Sequence, residues 1–118
     1  MSVALPIVLV GLPGAGKSKV GRLLAGRLGV PHVDTDDLIV EREGRGISDI
    51  FATDGESAFR LMETVAVADA LSHRAVVSLG GGAAATDAVR DLLAGHIVVY
   101  IDAPHDELVR RTASKTHR

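Results

Sequence analysis

The sequence predicts an α/β fold, specifically a three-layer α/β/α sandwich around a parallel sheet. Apolar runs of strand length alternate with helical patterns along the whole chain, and the first run leads directly into a glycine-rich loop. Such alternation is typical of parallel strands joined by right-handed crossovers. Because 47% of the 118 residues are apolar and only 3% are aromatic, the core is expected to consist of Val, Leu, Ile and Ala.

Four apolar runs are predicted as strands: residues 5–10, 32–34, 75–79 and 97–101. The first is apolar on both faces, as expected for a buried parallel strand. Helices are predicted at residues 17–28, 36–43, 47–52, about 54–71 and 86–93, with another beginning at 106–111. Three side chains are in positions typical of helix caps: Asp36, Thr53 (in a capping box with Glu56) and Thr86.

Composition and charge exclude several classes of function. A formal net charge of −2 without a basic run argues against nucleic-acid binding. The absence of cysteine excludes disulfides, thiolate metal sites and cysteine nucleophiles. No apolar stretch approaches the roughly 20 residues that span a membrane. We interpret the first apolar run as a strand rather than a signal peptide, so a cytoplasmic location is expected.

The segment GLPGAGKS at residues 11–18 has the pattern of a phosphate-binding loop, followed by a predicted helix. Backbone N–H groups of such a loop and the helix N-terminus hold anionic oxygens. Lys17 is predicted to reach the β- and γ-phosphates of a nucleotide, and Ser18 to bind Mg²⁺. A dinucleotide-binding loop would need glycine where Pro13 stands. Lys19, next in the chain, is more readily interpreted as a solvated helix residue.

Two carboxylates, Asp34 and Asp36, follow the second predicted strand, where ligands of open α/β sheets bind. Asp34 could reach Mg²⁺ directly or through water. Asp36 could accept a hydrogen bond from an attacking hydroxyl as base or orienting group. The alternative, that Asp36 simply caps the next helix, is about as probable for this pattern alone.

Two further features point to an anionic acceptor. Arg60 could bind a carboxylate through two hydrogen bonds, although a lone arginine is more often a surface residue, here paired with Glu63. The run Gly80-Gly81-Gly82 follows a buried strand, where bare backbone permits close approach of a ligand. A mobile turn is the less favoured alternative.

The remaining cations and imidazoles give weaker signals. Arg110, Arg111 and Arg118 could contact adenine or the transferring phosphate, or could belong to a solvated helix end and tail. The histidines lack the spacing of metal ligands and are expected at the surface or in loops: His32, His73, His96, His105 and His117.

Taken together, these motifs resemble shikimate kinase, a member of the nucleoside monophosphate kinase-like group of P-loop kinases. The matching stretches are residues 11–18, 34–36, 50–56 with Phe59, Arg60 and Glu63, 79–82, and 110–112. The resemblance implies ATP-dependent phosphorylation of the shikimate 3-hydroxyl, in the route to chorismate and aromatic amino acids. It also implies the P-loop NTPase fold with strand order 2-3-1-4-5.

The resemblance also implies roles for individual residues. Lys17, Asp36 and Arg118 would be catalytic, and Ser18 and Asp34 would serve Mg²⁺. Shikimate would contact Asp36 through its ring hydroxyls, Arg60 through its carboxylate, and Gly80, Gly81 and Gly82, among which Gly81 is expected to make the direct contact. The implied ATP contacts are Gly14, Ala15, Gly16, Lys17, Ser18, Lys19, Arg111 and Arg118.

Two departures from the family pattern affect these expectations. Lys19 stands where the family usually has threonine. Residues 1–118 are interpreted as a single P-loop kinase domain that is incomplete at its C-terminus, without the lid and the fifth strand, so little activity is expected from this chain alone. Kinases for gluconate or a nucleoside monophosphate, and an inactive nucleotide-binding remnant, are the alternatives. The complete protein is expected to be a monomer.

Overall fold

A parallel four-stranded sheet forms the centre of the molecule in a computed structural model, which describes residues 4–11, 16–80 and 82–101. The strands are β1 (Ile7–Gly11), β2 (His32–Asp34), β3 (Val76–Ser78) and β4 (Ile97–Ile101). They lie in the order β2-β3-β1-β4, and each neighbouring pair is parallel. The predicted fold class is therefore confirmed, and the order agrees with the first four positions of 2-3-1-4-5.

Helices connect and cover the strands: α1 (Lys17–Leu28), α2 (Thr35–Glu43), α3 (Ile47–Asp54), α4 (Glu56–Ala70) and α5 (Asp87–Leu93). A turn of 3-10 helix, Ala83–Ala85, precedes α5. The first helix has its predicted bounds, and the others differ by a few residues. The helix predicted at 106–111 lies outside the described residues. Within the described ranges, no helix combines the length and the apolar character needed to cross a membrane.

The helix caps differ from the predicted ones. Asp34, not Asp36, caps α2: its Oδ1 accepts hydrogen bonds from the backbone N–H groups of Asp36 (2.9 Å) and Asp37 (3.2 Å). Thr53 lies inside α3, and Gly55 precedes α4 without a side-chain cap, so the predicted capping box is wrong. Thr86 does occupy the N-cap of α5, but its side chain makes no capping hydrogen bond.

Alternate residues of the strands supply the two halves of the core. One half packs beneath α1 and contains Ile7, Leu9, Ala25 and Val76. The other lies beneath α4 and α5 and contains Val8, Val10, Val67, Val77, Leu79 and Val89. Strand β4 differs, because Ile97 is 43% exposed and Tyr100 is 70% exposed.

Helix α1 lies close to the sheet at Gly21, which is buried. A Cβ atom there would lie 2.5 Å from His32 Nε2 and 3.1 Å from Ser78 Oγ, two atoms that are themselves hydrogen-bonded at 2.8 Å. His32 is thus a half-buried strand residue, and its predicted surface or loop location is wrong. Burial lowers the pKa of His32, and the negative charge of Asp34 partly opposes that effect. The spacing of the histidines in the sequence did not indicate that His32 would be partly buried on β2.

We expect Gly21→Ala to destabilise the protein, although alanine favours helix over glycine by about 1 kcal/mol. The added methyl group must displace His32 or α1, and such overpacking typically costs about 1–3 kcal/mol. Gly26→Ala is the matched control, because it lies in the same helix with open space around its Cβ position. Urea unfolding of both variants checks this. If Gly21→Ala were at least as stable as wild type, the close approach of α1 to the sheet would not require glycine at this position.

Candidate active site

Parallel pairing brings three predicted site segments to one edge of the sheet. Ser78 of β3 is paired with Leu9 of β1 on one side and with Asp34 of β2 on the other. The glycine-rich loop follows β1, the acidic pair closes β2, and the triple glycine follows β3. All three segments therefore begin at the carboxyl edge, where ligands of open parallel sheets bind.

The phosphate-loop side of this edge is described from Gly16 onward. Gly16, the N-cap of α1, has φ +90°, a left-handed conformation that favours glycine. Lys17 Nζ donates a hydrogen bond to the Gly11 carbonyl oxygen at 3.0 Å, which places the ammonium group beside the start of the loop. Ser18 and Lys19 are exposed on the first turn of α1. Gly14 and Ala15 lie outside the described residues.

Asp36 is the most unusual polar group at this edge. Its Oδ1 atom is buried and has no hydrogen-bond partner in the described part of the chain. Burial raises the pKa of Asp36, the negative charges of Asp34 and Glu63 raise it further, and the positive charge of Lys17 opposes them. A buried acceptor without a donor is costly, so Asp36 is suited to receive a hydroxyl group from a ligand.

Gly80 lies directly against this carboxylate. A Cβ atom on Gly80 would be 2.7 Å from Asp36 Cγ, nearer than real carbon atoms approach. The backbone of the segment after β3 can therefore reach Asp36 only because residue 80 has no side chain. The glycine run was predicted to admit a ligand; at Gly80 the described neighbour is the chain's own Asp36 carboxylate, and approach of a ligand stays a prediction.

Arg60 is held by a buried partner rather than by solvent-exposed charges alone. Its Nη1 donates a 2.7 Å hydrogen bond to Oε1 of Glu63, whose side chain is 1% exposed. The guanidinium carbon also lies 5.3 Å from the ring centre of Phe59 and 6.0 Å from that of Phe51. The alternative in which Arg60 pairs with Glu63 is correct about the pair, but the arginine side chain is only 28% exposed.

Gly82 brings Arg60 beside the glycine segment. A Cβ atom on Gly82 would lie 2.8 Å from Arg60 Nη2. The structure thus gathers four of the predicted residues: Asp36 against Gly80, and Arg60 against Gly82. The other predicted members at this segment and near the C-terminus, Gly81, Arg110, Arg111 and Arg118, lie outside the described residues.

Several contributors to this geometry were not predicted as site residues. Glu63 holds Arg60, and its spacing of three residues along α4 was a visible signal, but its burial was not. Phe51 and Phe59 stack at 4.7 Å between ring centres beneath the guanidinium group. Thr35 lies between the two aspartates, and nothing in its sequence context distinguished it.

The predicted magnesium ligands have suitable chemistry, because Ser18 and Asp34 offer the hard oxygen atoms that Mg²⁺ prefers. The cap of α2 uses Oδ1 of Asp34, and neither of these two capping hydrogen bonds involves Oδ2. Within the described ranges, no group of three or more His, Asp or Glu side chains is arranged to hold a metal ion. Mg²⁺ in phosphoryl-transfer sites usually takes only one or two protein ligands, with waters and phosphates completing its shell.

Comparisons with known proteins identify the family. The family model for shikimate kinase matches residues 13–118. A shikimate kinase of Mycobacterium tuberculosis is 56% identical over 112 residues, which are 94% of this chain and 64% of that protein. This chain therefore spans slightly less than two thirds of the length of that curated relative.

Solved structures give the same result. Shikimate kinase from Acinetobacter baumannii in complex with shikimate has a TM-score of 0.79 and 41% identity, covering 92% of this chain and 62% of that one. Shikimate kinase from Aquifex aeolicus has a TM-score of 0.78 and 35% identity, covering 91% and 69%. The shared fold, the family match and the close relatives lead to one conclusion: the chain belongs to the shikimate kinase family.

Proposed function

We propose that the protein containing this chain transfers the γ-phosphoryl group of ATP to the 3-hydroxyl of shikimate. The observation that carries the proposal is the buried Oδ1 of Asp36, which has no hydrogen-bond partner among the described residues and lies on the same sheet edge as Lys17 and the Arg60 guanidinium. Shikimate offers a carboxylate for Arg60 and ring hydroxyls for Asp36. The Acinetobacter baumannii relative was solved in complex with shikimate, which supports this choice of acceptor.

The chemistry assigns distinct tasks to the acidic and basic groups. Asp36 accepts the hydrogen bond and then the proton of the attacking 3-hydroxyl. The oxygen forms a bond to the γ-phosphorus as the bond to the β,γ-bridging oxygen breaks, and ADP leaves. Lys17 stabilises the negative charge on the phosphate oxygens, and Arg60 fixes the ring by its carboxylate. Fixing both ends of the acceptor reduces the entropic cost of reaching the in-line geometry.

The proposal includes Mg²⁺, with Ser18 and Asp34 as the residues that would hold it. When bound, Mg²⁺ neutralises charge on the β- and γ-phosphates. The Ser18 hydroxyl at the start of α1 and the second carboxylate oxygen of Asp34 are the groups that would hold it. The α2 cap fixes the Asp34 carboxylate, so its position is set before any ion arrives.

The other predicted contacts complete the proposal. Gly80, Gly81 and Gly82 would border shikimate, and the phosphate loop and late arginines would contact ATP: Gly14, Ala15, Gly16, Lys17, Ser18, Lys19, Arg111 and Arg118. Arg118 would also approach the transferring phosphate as a catalytic group. A monomer acting in the cytoplasm is part of the same proposal.

Turnover on shikimate tests the proposal directly. We expect the protein encoded by the full gene to form ADP from ATP when shikimate is supplied, as measured in a coupled assay. Gluconate and nucleoside monophosphates serve as control acceptors. Turnover on one of these controls, with none on shikimate, would assign the site to another small acceptor. ATP binding without turnover on any acceptor would favour a nucleotide-binding remnant.

Gly82→Ala is expected to weaken shikimate binding by moving Arg60. The backbone at Gly82, with φ −100°, accepts alanine, but the new methyl group would occupy the position next to Arg60 Nη2. Losing a charge-assisted contact to a carboxylate costs about 1.5–3 kcal/mol, so KM for shikimate should rise about 10- to 100-fold. KM for ATP should change little. Steady-state kinetics with shikimate and ATP varied in turn measures the two KM values separately.

A glycine with open space around its Cβ position provides the control for that variant. Gly46→Ala meets no atom within 4 Å and should retain wild-type constants. Arg60→Ala should weaken shikimate binding too, but it also leaves the buried Glu63 without its partner and so risks unfolding. Unchanged shikimate KM in folded Gly82→Ala would contradict the carboxylate assignment.

Asp36→Asn should lose activity and gain stability. Removing a general base lowers kcat by about 10²–10⁴-fold. Because the native pKa of Asp36 is raised above 3.8, the protonated form stabilises the fold below that pH, and this contribution is lost as pH rises through the native value. Above its raised pKa, Asp36 carries an unfavourable, partly buried charge that asparagine removes.

The pH dependence of stability and of activity separates the two effects of Asp36→Asn, the gain in stability and the loss of the base. Urea unfolding should show Asp36→Asn more stable than wild type at pH 7, with a gap that closes as pH falls toward 3.8. Wild-type kcat/KM should fall as pH drops through the raised pKa of Asp36. Asp91→Asn, at an exposed position of α5, is the matched control. A kcat within threefold of wild type would exclude Asp36 as the base.

A further inference from the structure

We propose that Thr35 is a positioning residue, whose hydroxyl group sets the separation of the Asp36 carboxylate from the Gly80 backbone and so controls affinity for the acceptor. The inference rests on the proposed function for its kinetic consequence. Thr35 occupies the first position of α2, between the two aspartates, and its residue is 0% exposed. It touches no solvent, so its action is through its neighbours.

A single hydroxyl group makes two hydrogen bonds across the gap between α2 and the end of β3. Thr35 Oγ1 donates to the Ser78 carbonyl oxygen at 3.4 Å and accepts from the Gly80 backbone N–H at 3.2 Å. The donor and an acceptor lone pair of the hydroxyl are thus both used. We call these two contacts the Thr35 bridge.

The Thr35 bridge completes the support of the segment that carries Asp36. On one side, the Asp34 carboxylate binds the N–H groups of Asp36 and Asp37 and fixes the first turn of α2. On the other side, the bridge fixes that turn to the chain that leaves β3. The first support acts within α2, whereas the second adds a direct link between α2 and Gly80 to the strand pairing of Asp34 with Ser78.

This separation has little tolerance. Gly80 and Asp36 are already so close that a Cβ atom on Gly80 would overlap the carboxyl group. A movement of α2 away from β3 would open a gap between the buried Asp36 oxygen and the glycine segment, where the acceptor is proposed to lie. Misplacement of about 1 Å in a site of this kind can reduce rates by about 100-fold.

Threonine suits this role better than serine. Its branched Cβ restricts χ1, so the hydroxyl group is held in a small number of orientations before the hydrogen bonds form. Its methyl group also fills buried space that serine would leave empty. We therefore expect serine to retain the bridge with reduced rigidity, and valine to retain the shape without the bridge.

The test compares Thr35→Val and Thr35→Ser in the protein encoded by the full gene. Loss of one or two buried hydrogen bonds that position a ligand corresponds to about a 5- to 30-fold rise in KM for shikimate in Thr35→Val. KM for ATP should stay within about twofold, because the bridge does not touch α1. Thr35→Ser should return KM for shikimate to within about threefold of wild type.

Ile7→Val controls for a general loss of stability, because Ile7 is buried at the opposite, amino edge of the sheet. It should lower stability without raising KM for shikimate. Three kinetic results would overturn the inference. They are a wild-type KM for shikimate in Thr35→Val, an equal rise in the KM values for shikimate and ATP, or a KM for shikimate in Thr35→Ser as high as in Thr35→Val.

Hydrogen exchange at the Gly80 amide tests the bridge without reference to substrate. Exchange should be at least about fivefold faster in Thr35→Val than in Ile7→Val, and near the wild-type rate in Thr35→Ser. If wild type fails to phosphorylate shikimate, the proposed function is wrong. The exchange measurement still tests whether Thr35 fixes the Gly80 backbone, because it needs no substrate. Unchanged protection of Gly80 in Thr35→Val would overturn the inference.

Discussion

The position of β3 between β1 and β2 is the constraint on which the rest of the site depends. Because all pairings are parallel, Ser78 lies level with Leu9 and with Asp34, and the chain leaves all three strands at the same edge. The phosphate loop, the acidic pair and the triple glycine therefore begin at one edge, although the first and the last of them are separated by more than 60 residues of sequence. The contacts that join β2 and α2 to the end of β3, such as the hydrogen bonds of Thr35 to Ser78 and Gly80, depend on this strand order.

Close backbone approach is the second organising feature. At Gly80 and Gly82, the space that a Cβ atom would fill is occupied by the functional groups of Asp36 and Arg60. The glycines thus act by making room for charged side chains against the backbone, which is itself fixed at Gly80 by the hydrogen bond from its N–H to Thr35 Oγ1. This arrangement suits an acceptor with a carboxylate at one end and hydroxyl groups at the other.

The site also contains an unfavourable charge distribution. Asp36 is half-buried, and the carboxylates of Asp34 and Glu63 act on it in the same direction as burial. The compensating cations are Lys17 near the phosphate loop and Arg60, which is already paired with Glu63. Functional sites commonly retain such destabilising groups, because a base must be positioned before its substrate arrives.

The sequence by itself determined the fold class, the approximate positions of the described helices and the family. These depend on local information: apolar periodicity, the spacing of glycine, lysine and serine, and the order of short motifs. It missed the cap at Asp34, placed Thr53 in a capping box, and assigned His32 to the surface. In each case, the partner of the side chain depends on which of several neighbouring polar groups caps the helix, or on packing against a distant part of the chain.

Only the tertiary structure decided which polar groups are buried and what lies beside them. The burial of Glu63, the burial of the Asp36 oxygen and the two hydrogen bonds of Thr35 all depend on how α2 and α4 pack beside the end of β3. Burial and long-range hydrogen bonds are properties of three-dimensional neighbours, and adjacent sequence letters do not encode them. The residue types at the site could therefore be read from the sequence, whereas their electrostatic state and mutual support could not.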